Sequence, residues 1–104
     1  MASDFMVTVH GERAKDWEAV FGTTTLPVRA PHPYPASVPG KGFTMVYDLD
    51  LDLVTPEQRE RLVGHLATRF GLTEREVERD IERQGVPLLA EDCSVAVQNP
   101  QRWM

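Results

Sequence analysis

Cys93 is the one cysteine in the chain, and as a thiolate it would be a strong nucleophile. It stands beside Asp92, and the three histidines, His10, His32 and His65, are scattered along the sequence. A thiol nucleophile needs a base within reach, and zinc needs three or four ligands at compatible spacing. No local run supplies either set. An enzyme would have to assemble its site from His10, His32, Asp92 and Cys93 by folding alone. The sequence therefore assigns no catalytic, metal or cofactor-binding residue, and a lone cysteine near a short apolar run reads as a small buried hydrophobe.

Asp48, Asp50 and Asp52 form a run of carboxylates with no base among them. They resemble the opening of a calcium loop, but such a loop needs glycine at its sixth position and glutamate at its twelfth. Leu53 and Arg59 stand there instead. Alternation with Tyr47, Leu49, Leu51 and Leu53 points to a strand from Phe43 to Leu53 with one apolar and one acidic face. Such a face discourages edge-to-edge pairing or awaits a basic partner. Pro39-Gly40-Lys41-Gly42 lacks the spacing of a phosphate loop and reads as a turn.

The run from Leu66 to Ile81 resembles a helix-turn-helix motif. Ala67 stands at the small position of the first helix, Gly71 at the turn, and Leu72, Val77 and Ile81 at the apolar positions that lock the second helix. These positions specify a helix pair rather than contact with DNA. A recognition helix needs cationic and amide side chains for phosphates and base edges. This one carries Glu74, Glu76, Glu78, Asp80 and Glu82 against Arg75, Arg79 and Arg83. DNA-binding regulation through residues 62–85 is accordingly the alternative reading rather than the leading one.

The elements that must position these groups follow from local pattern. Phe5–Val9 reads as a strand, and Ala14, Trp17 and Phe21 give a short helix from Glu12 closed by Gly22. Residues 26–42 hold five of the eight prolines and read as an extended segment, neither helix nor central strand. Within it, the run from Pro27 to Pro35 has the alternative reading of a ligand for an aromatic groove. Thr55-Pro56-Glu57-Gln58 opens a helix with the stripe Leu62, Val63, Leu66, Ala67 and Phe70. Thr73 to Glu76 opens a second, ending at Gly85, with Glu76–Arg79 and Asp80–Arg83 as supporting pairs. Val86–Ala90 and Ser94–Gln98 are short extended runs, and Trp103 lies near the C-terminus.

These elements predict one α+β domain over residues 1–104: a small, mainly antiparallel sheet of three or four strands with a helical hairpin packed on one face. No apolar run suits a membrane span, and the N-terminus does not resemble a secretory signal. A single cysteine fits a reducing, cytoplasmic setting. A net charge of −5 argues against nonspecific nucleic-acid binding. The reading reached from sequence is a non-enzymatic protein-interaction or accessory module without a cofactor. Its partner is an unknown protein or a second copy in a homodimer, because a core this small gains from further apolar burial. The candidate interaction surface is Tyr34, Arg75, Glu78, Arg79, Glu82 and Trp103.

Overall fold

Helix boundaries lie where the capping signals put them in the computed structural model, which describes residues 5–29, 32–38 and 40–97. The Gln58 N–H donates to the Thr55 hydroxyl at 3.1 Å, and the Thr55 N–H donates to the Gln58 side chain at 3.0 Å. This reciprocal cap satisfies two donors that a helix start leaves open. It begins α2 (Pro56–Phe70), which Gly71 ends in a left-handed conformation. Thr73 and Glu76 repeat the device at the head of α3 (Glu74–Gln84). The Glu76 carboxylate takes both the N–H and the hydroxyl of Thr73, each at 3.0 Å. Those hydrogen bonds hold its pKa below the usual carboxylate range, and Arg79 adds the smallest influence. The expected Glu76–Arg79 attraction is present but smaller than the effect of the cap.

The first helix, α1 (Arg13–Phe21), stacks Trp17 on Phe21 with ring centroids 5.9 Å apart. In the first sheet, β1 (Phe5–Val9) runs between β2 (Thr25–Pro27) and β6 (Cys93–Val97), antiparallel to both. In the second, β4 (Gly42–Asp48) runs between β3 (Tyr34–Val38) and β5 (Pro87–Leu89), again antiparallel. The α+β architecture stands as expected, with the strands divided between two sheets of three. The proline-rich stretch supplies β2 and β3, both edge strands. An edge is where a residue without an N–H interrupts no ladder on its open side.

The predicted strand from Phe43 to Leu53 is shorter than its alternation implied: β4 stops at Asp48. Asp50 accepts the Asp52 N–H at 3.2 Å and caps a turn of 3-10 helix over Leu51–Leu53. Aspartate competes for nearby backbone donors in this way, and the strand ends where it succeeds. At the crossover between the sheets, Val28 bridges Leu49. The Asp50 N–H reaches the Pro27 carbonyl at 3.0 Å, and the Leu49 N–H reaches the Val86 carbonyl at 3.0 Å.

Beneath this crossover lies the core. Leu26, Leu49, Leu62, Leu88, Val7 and Val28 are completely or almost completely buried. They join residues from both sheets to the inner faces of α2 and α3. Of the α2 stripe, Leu62, Val63 and Ala67 are buried, Leu66 is half-buried, and Phe70 is exposed. Among the described residues, no helix is long and apolar enough to cross a membrane.

Candidate functional site

Because Leu66 and Phe70 sit one turn apart, they form a column on α2 that continues past the sealed core. Opposite them α3 presents Val77 and Ile81, and α1 contributes Trp17. Pro87 and Leu89 of β5, with Val38 of β3, complete an apolar cleft of about 400 Å³. A cavity of this size with apolar walls and a few polar groups is the usual form of a binding site.

The polar groups gather where α1 meets α2. Asp16 lies 3.2 Å from the His65 Nε2, 3.8 Å from an Arg69 nitrogen and 3.9 Å from an Arg13 nitrogen. Two arginines and a histidine thus share one carboxylate. None is in hydrogen-bonding contact with it: both arginine separations are long, and the buried His65 Nε2 has no hydrogen-bond partner. The His65–Asp16 approach is proximity without hydrogen-bond alignment. From α3, Asp80 and Gln84 also line the cleft.

The residues singled out from sequence lie elsewhere or are differently engaged. Arg75, Glu78, Arg79 and Glu82 are all exposed on α3 and do not line the cleft. Tyr34 lies on the β3 edge, 37% exposed. Burial, and then the charge of Asp48, raises its phenol pKa. Trp103 lies outside the described residues. The side chains of the cleft cluster, Asp16, His65 and Arg69, were not picked out from sequence. Their signal was nonetheless present: His65 and Arg69 repeat at i, i+4 beside the Leu66–Phe70 column.

The acidic run has found a basic partner within the chain. Arg29 lies 3.8 Å from both Asp50 and Asp52. Asp48 is held above the usual carboxylate range mainly by burial, with Arg29 opposing that shift, Asp50 adding to it and the Val86 N–H opposing it.

Around Cys93, folding brings His10 and Asp92 close, as the enzyme reading required. The His10 N–H donates to the Asp92 carbonyl at 2.6 Å, but the His10 ring contacts the Ser94 hydroxyl rather than the thiol. Cys93 pairs with Val9 across the sheet. Burial, and then the Asp92 charge, pushes its thiol pKa up to about 11. Relative to the ordinary thiol value of 9.0, the thiolate fraction near neutral pH falls about 100-fold. Iodoacetamide should therefore alkylate the folded protein at least ~100-fold more slowly than the urea-unfolded chain, by mass spectrometry at pH 7.5. Equal rates would restore Cys93 as a candidate nucleophile. His32 stands in the bend before β3. Among the described residues no group of three or more His, Cys, Asp and Glu side chains is placed to hold a metal ion.

Compared with known proteins, the chain matches no family model, no curated protein and no solved structure.

Proposed function

We propose that this chain is a small, non-enzymatic protein-interaction module that works through the cleft between its three helices and β5. The observation that carries this reading is the cleft itself: about 400 Å³ of space with walls such as Leu66, Phe70, Val77 and Ile81. Apolar side chains left around an open cavity lack the contacts that a sealed core would give them. A partner's apolar side chains would supply those contacts. The protonated thiol of Cys93 supports a role in binding over nucleophilic chemistry. On its exposed surface α3 also carries Arg75, Glu78, Arg79 and Glu82, which suits a partner of mixed charge.

A helix-turn-helix reading draws no comparable support. The α2–α3 pair exists, but α3 bears five acids against three arginines. Phosphate would be repelled by such a helix.

Nile red, an uncharged apolar dye, provides the test. The protein should bind it saturably, with the blue-shifted emission of an apolar site. Phe70 is 45% exposed, so Phe70→Glu can place a charge at the cleft with little loss of core packing. Dye affinity should fall at least ~10-fold while the circular dichroism spectrum stays unchanged. An absence of saturable binding to the unmodified protein would end the cleft reading.

A further inference from the structure

We propose that the cleft captures the free C-terminus of a partner protein whose last residues are apolar, with the terminal carboxylate held by Arg13 and Arg69 beside His65. This inference rests on the cleft being the binding surface and adds the chemistry of what enters it.

Charge is the first argument. Arg13, Arg69 and His65 face a single carboxylate, Asp16, at 3.9, 3.8 and 3.2 Å. Each guanidinium carries five N–H donors in a planar fork, matched to a carboxylate in two-point contact. Asp16 offers too few acceptors to use those donors, and at these separations it uses them poorly. Even with His65 neutral, the cluster of two arginines and Asp16 has a surplus positive charge. Asp80 also lines the cleft but makes no ion pair with this cluster among the described residues. An entering carboxylate therefore meets arginine donors at one end and apolar walls beyond them.

The second argument concerns what is attached to that carboxylate. One wall is β5, an edge strand of the second sheet. Edge strands and carboxylate-binding pockets are two recurrent means of gripping a peptide terminus, because one takes its main chain and the other its end charge. On α3, Asp80 and Gln84 offer acceptors for peptide N–H groups. A simple fatty acid has no such groups. Asp80 also disfavours acidic residues close to the captured end, so the expected ligand is apolar at its last positions and neutral or basic before them.

The decisive comparison uses two hexapeptide libraries of this composition, one with free C-termini and one amidated. The full protein would be titrated with fluorescently labelled pools, with octanoate as a small-molecule control. The free-acid pool should bind at least ~10-fold more tightly than the amide pool. Replacing Arg13→Gln and Arg69→Gln together should abolish that difference, with thermal melting confirming that the variant is folded. Equal affinity of acid and amide pools would overturn carboxylate capture and leave the apolar cleft reading standing. Nile red binding without binding of either pool would overturn the peptide partner alone. Displacement of the dye by octanoate but by neither pool would also overturn it, assigning the anion site to a small acid. Failure of dye, peptides and octanoate alike would remove both the inference and the reading beneath it.

Discussion

Replacing Gly85 with alanine is expected to destabilise the protein by about 3 kcal/mol, a large part of the ~5–15 kcal/mol typical of a domain of this size. Gly85 ends α3 at φ 70 and ψ −158, a backbone region that is essentially confined to glycine. Holding another residue there costs roughly 1–3 kcal/mol. A second penalty is steric: a Cβ on Gly85 would lie 2.6 Å from the Asp48 Oδ1. That carboxylate accepts the Val86 N–H where the chain enters β5. Moving it aside would weaken a hydrogen bond to a charged group, worth about 1.5–3 kcal/mol. Urea titration followed by circular dichroism would measure the loss. A double-mutant cycle with Asp48→Ser separates the two penalties: Asp48→Ser alone already loses the carboxylate bond to Val86, so in that background Gly85→Ala should cost less, only the backbone strain remaining. An equal cost in both backgrounds would mean that the clash with Asp48 contributes nothing. A Gly85→Ala variant as stable as the parent protein would show that the α3–β5 turn tolerates another conformation.

An effect of similar size is expected where the two sheets meet. Leu49 is completely buried, and its backbone bridges Val28 on one side and reaches Val86 on the other. Truncation to alanine should cost about 3–5 kcal/mol, from lost transfer energy and from the cavity left behind. The site collapses poorly because strands from both sheets and the adjoining segments are fixed around it. Leu51, two residues on and only half-buried, provides the comparison. Leu51→Ala should cost clearly less, about 1–2 kcal/mol, since partial burial leaves less apolar area to lose. Equilibrium urea unfolding of both variants would rank them. Equal small losses would mean that the junction between the sheets contributes little to stability.

The same cleft that defines the proposed function also explains an irregularity in the core. In sequence, Leu62, Val63, Leu66, Ala67 and Phe70 form one uninterrupted stripe. In the fold, the stripe divides: Leu62, Val63 and Ala67 are sealed, and Leu66 and Phe70 line open space. An apolar residue at helical spacing marks the face that packs on the core, but not how far along the helix that packing extends.

What the sequence determined by itself was local. Thr55 with Gln58 and Thr73 with Glu76 fixed the starts of α2 and α3, because a cap is completed by residues three positions apart. Gly22 and Gly71 marked helix ends for a similarly local reason, since each takes the left-handed conformation that closes a helix. The prolines confined their segment to sheet edges. Where two local tendencies competed, pattern alone was insufficient. The alternation through Leu53 favoured a strand, and the carboxylate of Asp50 ended it by capping the next turn. Tertiary structure alone decided the division into two sheets, the pairing of Arg29 with Asp50 and Asp52, and the gathering of Asp16, His65 and Arg69. These depend on residues far apart in the chain, whose approach is set by how the helices settle on the sheets. The cleft belongs to the same class: α1, α2, α3, β3 and β5 each contribute residues that look like ordinary core, and their packing leaves the space between them open.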